Sequence, residues 1–265
     1  MKLKSDKEIQ LIRQAGLLLW ETHQVAAEMV EAGVTTHDIN QAVEEFIQFN
    51  KAEPLFKGVP GTVPFPAATC ISVNEEIVHG IPSKRQLKNG DIVSLDIGIR
   101  LNGWCADAAV TYPVGEIDAE KQKLLQITEE CLRKAIELLG ENSRWKFIGK
   151  KIQKVAEHAG FSVVRELVGH GIGRSLWEKP QVPNYFSEQV SDFRIKPGLV
   201  IAIEPMINVG TKEIETLSDH WTIVTRDRKP SAHFEHTIAM TKSGPMVLTC
   251  GPNGEGWAMG NGKKG

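Results

Sequence analysis

The chain has few cysteines, no excess of either charge and no long apolar run, and each shortage removes a class of protein. Its 265 residues include only four cysteines. At positions 70, 105, 131 and 250 these form no CxxC pair and no zinc-finger spacing, so small reduced core residues are expected rather than a disulfide framework. A net charge of -2 without a basic run gives no pull toward nucleic acid or an anionic membrane. No apolar stretch approaches the ~18 residues needed to span a bilayer. The opening MKLKSDKEIQ is charged throughout, unlike a signal peptide, and the expected compartment is the cytoplasm. What is present, 41% hydrophobic with 24% charged residues, is enough apolar material for a sizeable core.

Helices and hairpins alternate along the chain. Ser5 and Glu8 form a capping-box pattern, and Ile9, Ile12, Leu19, Ala26 and Val30 keep a helical stripe until Gly33. Thr35 and Asp38 offer the cap of a second helix with Ile39, Val43, Phe46 and Ile47 inward, and VPGTVPFPA (59–67) must be loop. Strands are expected over 69–74, 92–112 and 199–249, and helices over 118–139 and about 146–159, ending at Gly140 and Gly160. A folded unit over 1–250 is expected, with the glycine-rich 251–265 as a disordered tail.

The stretch IVSLDIGIRLNGWCADAAVTYPVG (92–115) carries two acids in apolar surroundings. Its Asn-Gly pair predicts a two-residue turn that sets Leu101 against Trp104. Asp96 then faces Ala109 and Asp107 faces Gly98, so the acids become diagonal neighbours on one face, roughly 7 Å apart. Two like charges on a half-buried face repel and are costly to desolvate, so a divalent cation, or a pair, is expected between them. Two ordinary acids on a solvent-facing strand are the plainer alternative.

An internal echo extends the pattern. LKNGDIVSLDI (87–97) resembles IKPGLVIAIEP (195–205), with an acid six positions after each glycine, Asp96 and Glu204. The second copy leads to a return strand, AHFEHTIAM (232–240), that carries Glu235. Two half-domains facing one another across a four-carboxylate site are therefore expected. LVGHGIG (167–173) offers His170 between glycines that let backbone approach closely. Alone, a Gly-His-Gly reads equally as a turn; with the acids it completes an oxygen-rich set suited to divalent first-row metals such as manganese, iron, cobalt or zinc.

CISVNEEIVHGIP (70–82), LDIG (95–98), the Asp107 strand, GHGIG (169–173), IEPM (203–206), DHWTIVT (219–225) and FEHTIAMT (234–241) stand in an order that resembles the type I methionine aminopeptidases, over residues 5–250. The resemblance implies an α/β pita-bread fold, two pseudo-symmetric halves of antiparallel strands flanked by helices around a dinuclear metal site. It implies that Asp96 ligates one metal, His170 and Glu204 the other, and that Asp107 and Glu235 bridge them. It further implies removal of N-terminal methionine from peptides and nascent chains with a small second residue, through a metal-bridging hydroxide, with Glu204 in proton transfer and His79 hydrogen-bonded to the reacting peptide group. Cys70, Phe65 and Trp221 match positions of the methionine slot. A cytoplasmic monomer, working near the ribosome and without nucleic acid or membrane partners, is expected.

This sequence departs from that pattern at two places. The loop carries Val59, Thr62 and Val63 where bacterial relatives often have cysteine, tyrosine and histidine. Trp177 stands at the substrate-binding position where a second histidine is usual, and tryptophan offers one N–H donor and no transferable proton. A weakened or retargeted homologue, acting on other N-termini or as a binding protein, is the alternative this raises. His220 and His233 are additional ionisable groups near the expected site.

Overall fold

The computed structural model describes residues 1–141, 143–189 and 192–256. Helix α1, Asp6–Glu28, starts at the expected capping box: Ser5 Oγ accepts from Glu8 N, and Glu8 returns a carboxylate to Ser5 N at 2.8 Å. Helix α2, Thr36–Phe49, has the same reciprocal cap from Thr35 and Asp38, and buries Ile39, Val43 and Ile47; Phe46 is half-buried. Helix α1 ends earlier than the apolar stripe suggested. Met29 is its C-cap, and Val30 lies in the following turn, where the left-handed Gly33 donates its N–H to Leu87 O. That long-range partner draws the chain away from the helix axis.

Helices α3, Ala119–Leu139, and α4, Trp145–His158, lie together against the second half. Asp118 caps α3 by accepting from Lys121 N. No side-chain cap comes from Arg144; instead Asp192, distant in sequence, accepts from Lys146 N at 3.0 Å. Trp145 is buried, donates to Pro183 O and stacks on Phe193.

Two antiparallel sheets carry the site. In the first, Ile92–Leu101 lies between Thr69–Val73 and Trp104–Pro113, with Glu53–Pro54 pairing along its far end. In the second, Val200–Ile203 lies between Gly169–Gly171 and His236–Thr241, flanked by Glu178–Val182 and Gly244–Val247. The repeated segment thus builds the central strand of each sheet, and Gly90 and Gly198, which open the two copies, share one left-handed conformation with φ of 92°. The pita-bread architecture foreseen from the sequence is the one observed. The expected 199–249 strand region is broken into short pieces that also form two three-stranded sheets, one joining Ser231–His233, Met206–Asn208 and Ser162–Val163, the other Ile214–Thr216, Ile223–Thr225 and Glu76–Val78.

The halves meet along an antiparallel seam. Glu235 N donates to Ala109 O at 2.8 Å, and on either side threonine hydroxyls take the place of backbone partners. Asp107 N donates to Thr237 Oγ1, which donates back to Asp107 O; His233 N donates to Thr111 Oγ1, which donates back to His233 O. This pairing gives the N–H groups of Asp107, His233 and Glu235 partners at a buried junction.

Residues 251–256 form a turn held by Arg13, whose guanidinium donates to the carbonyls of Leu248, Cys250 and Gly251. The remainder of the tail expected to be disordered, 257–265, lies outside the described residues. Close packing also fixes Gly16 of α1: a Cβ there would stand 1.9 Å from Leu248 O. Because the obstacle is backbone, Gly16→Ala is expected to cost roughly 1 to 3 kcal/mol and lower the melting temperature by several degrees despite alanine's better helix propensity, which a thermal melt will read.

Candidate metal centre

The hairpin register is the one the Asn-Gly turn predicts: Leu101 pairs with Trp104, Asp96 with Ala109 and Gly98 with Asp107. A side chain at position 98 would crowd Asp107, since a Cβ there would lie 3.2 Å from Asp107 Oδ1. Glycine opposite the acid therefore leaves its carboxylate room. The seam then puts Glu235 directly across from Ala109, on the side of the strand that Asp107 shares.

Into this group come two residues of the second sheet. His170 Nε2 lies 3.7 Å from Asp107 Oδ2 and 3.6 Å from Glu204 Oε1. Ligand atoms of Asp107, His170 and Glu235 all fall within 4.8 Å of one another, as do those of Glu204, His233 and Glu235. Four of the five expected ligands thus lie in these two overlapping groups, and Asp96 adjoins them through a side-chain contact with Asp107. Asp96 Oδ1, Asp107 Oδ1 and Glu235 Oε1 are buried without a hydrogen-bond partner. Buried acceptors that converge without donors fit a cation, which satisfies several at once.

The histidine is prepared for the same role. His170 Nδ1 lies 3.0 Å from Gly171 O, and a carbonyl only accepts, so the proton sits on Nδ1 and Nε2 presents its lone pair. The flanking glycines serve a different purpose from the one expected. A Cβ on Gly169 would lie 2.4 Å from Ala202 O, and one on Gly171 2.5 Å from Lys179 O, so they admit neighbouring strands rather than a ligand.

Burial and mutual repulsion set the acid–base state. Burial pushes Asp96 up to about 7. Burial, then the charge of Asp96, pushes Glu204 up to about 8. Asp107 and Glu235 are raised well above the usual carboxylate range by burial and by their acidic neighbours. Without a cation the cluster must hold protons, and a divalent ion would displace them.

The acids form the floor of a cavity of about 490 Å³ whose walls are largely apolar. Phe65 and Cys70 are buried in its wall, and Trp221 is half-buried. The Trp221 ring meets Phe65 edge-on at 5.3 Å and His79 at 6.2 Å, and its N–H donates to Val63 O, which ties the 59–67 loop to the wall. His79 also lines the cavity, held at a φ of 58°; burial lowers its pKa to about 4. Trp177 lies at the mouth, 57% exposed. Its turn is fixed by Glu178, which accepts from Arg174 N and pairs with Lys4. His220 is exposed and outside the cavity lining, whereas His233 is buried within it. Phe56, Val78, Leu167 and Met206 also line the space. Sequence reading missed these four, since isolated apolar residues carry no signal beyond core packing.

Residues 10–242 match the profile of Metallopeptidase family M24. The chain belongs to that family. This M24 metallopeptidase is 47% identical over 246 residues to "Methionine aminopeptidase 1" of Bacillus subtilis, a match that covers 93% of this chain and 98% of the relative. It is 48% identical over 247 residues to a methionine aminopeptidase of Clostridium perfringens, with coverage of 93% and 98%. The crystal structure of a Thermotoga maritima methionine aminopeptidase, 40% identical, superimposes with a TM-score of 0.89 over 94% of this chain and 99% of that one. A prolidase from Pyrococcus furiosus, 22% identical, shares the fold alone, with a TM-score of 0.75 over 94% of this chain and 65% of its own.

Proposed function

We propose that this M24 metallopeptidase is a methionyl aminopeptidase that releases N-terminal methionine from peptides and nascent chains whose second residue is small. The observation that carries the reading is one cavity with a floor of five ligand-type side chains, Asp96, Asp107, His170, Glu204 and Glu235, and an apolar wall. These residues would hold two divalent ions, with Asp107 and Glu235 shared between them. Such a pair supplies Lewis acidity toward a carbonyl and makes water a nucleophile near neutral pH.

The protein's own groups do the rest. Phe65, Cys70 and Trp221 line the slot that takes the methionine side chain. The Cys70 thiol, raised well above its ordinary pKa by burial and by Asp96, stays protonated and acts there as a small apolar surface. His79 is neutral at pH 7 and so donates a hydrogen bond to the peptide group rather than a full charge. Glu204, which lines the cavity beside the ions it would help hold, would relay a proton toward the leaving amine. Work on nascent chains would place the protein in the cytoplasm, near the ribosome.

The test is methionine release from a Met-Ala-Ser peptide by protein loaded in turn with manganese, iron, cobalt and zinc, beside a chelated sample and Glu204→Gln. Release that depends on metal and disappears in both controls is expected. No release with any metal, from protein that demonstrably binds it, would defeat the reading. Trp177 at the mouth presents a single N–H donor, so Trp177→His is expected to raise kcat roughly 10- to 100-fold with little change in metal content. An unchanged kcat would show that position 177 does not limit turnover.

A further inference from the structure

The geometry points to His233 as a sixth protein ligand, donating Nε2 to the ion held by Glu204 and Glu235, an inference that rests on the metal-dependent reading above. His233 is 1% exposed, and neither ring nitrogen has a hydrogen-bond partner. A neutral imidazole carries one donor and one acceptor, so a buried ring with both unused calls for an occupant. Its Nε2 lies 3.8 Å from Glu204 Oε2 and 3.9 Å from Glu235 Oε2. Those separations are too long for hydrogen bonds. They suit donors sharing one ion, because atoms each about 2.0 to 2.2 Å from a metal stand roughly 3 to 4 Å apart.

The comparison with His170 strengthens the assignment. His170 Nε2 approaches Glu204 Oε1 at 3.6 Å, so Glu204 sits between two imidazoles, one at each carboxylate oxygen. The His233 backbone is fixed on both sides by Thr111 and pairs with Met206, which leaves the ring little freedom to turn away. A second nitrogen donor would also alter metal choice, since imidazole favours cobalt and zinc over manganese compared with an all-oxygen set.

The experiment measures binding of Co(II), Zn(II) and Mn(II) by calorimetry to metal-free wild type, His233→Gln and His233→Ala, with Co(II) absorption spectra of each. Expected is a loss of at least about 10-fold in Co(II) and Zn(II) affinity at one site, a smaller loss for Mn(II), and a shifted Co(II) spectrum. Wild-type protein with 15N-labelled histidine provides a readout independent of how the variants fold: saturating Zn(II) is expected to shift two ring Nε2 resonances. Equal affinities and spectra in folded variants, or a single shifted ring in the wild type, would overturn the assignment while leaving the five-ligand site intact. A wild type that binds none of the three ions would instead overturn the metal-dependent reading itself.

Discussion

Glu235→Gln is expected to lower methionine release by roughly 1000-fold or more, measured as kcat/KM with metal at saturating concentration. Glu235 belongs to both groups of converging donors, so on the proposed two-ion reading its loss would weaken the hold on each. Changing a residue that merely orients a ligand costs 10- to 100-fold, and removal of a shared ligand should exceed that. The same substitution should make the metal-free protein more stable at pH 8. Glutamine fills the same space without adding charge to Asp107, Glu204 and Asp96, which all raise the proton affinity of Glu235. A variant that gains stability as it loses activity would separate this acid's function from any contribution to folding. Activity within 10-fold of wild type would exclude Glu235 as a shared ligand.

Metal-free wild type is expected to lose stability steeply between pH 6.5 and 8.5, and divalent metal to restore it. The sign follows from the proton balance. Asp96 at about 7, Glu204 at about 8, and Asp107 and Glu235, raised well above the usual carboxylate range, bind protons more tightly folded than unfolded, so stability falls as pH rises from the unfolded carboxylate range through the neutral region. The buried histidines oppose this at lower pH. His23 and His79 at about 4, His233 and His236 at about 3, and the lowered His170 bind protons less well folded, so their contribution is lost as pH falls below about 6.5. Above 6.5 the carboxylates act unopposed. Each proton the fold retains is worth about 1.4 kcal/mol per pH step, which makes a fall in melting temperature on the order of 10 °C reasonable across the window. Thermal melts at several pH values, with and without cobalt, read both arms. A metal-free melting temperature that is flat or rises from pH 6.5 to 8.5 would mean that the acids do not titrate together as a buried cluster.

How far the sequence revealed this site depended on the range of the forces involved. The Asn-Gly turn and a strand period of two are local, and they fixed the Asp96 and Asp107 pairing residue for residue. The echo between Gly90 and Gly198 was legible because a left-handed turn before a buried strand demands glycine in both halves. Where partners lie far away, the sequence carries no local signal. The end of α1 depends on Leu87, the start of α4 on Asp192, and the seam on threonine hydroxyls at 111 and 237 that resemble ordinary strand residues. His233 was visible as an extra histidine, but its inward direction follows from pairing with Met206 across a separate small sheet. The family resemblance supplied the ligand set that spacing alone left open.

The seam between Ala109 and Glu235 has a consequence for the birth of the enzyme itself. Of the proposed ligands, Asp96 and Asp107 come from the first half of the fold, and Glu235 follows far later in the chain. The proposed centre therefore cannot assemble on a growing chain until Glu235 has been made and has paired across the seam, so metal uptake follows folding of both halves.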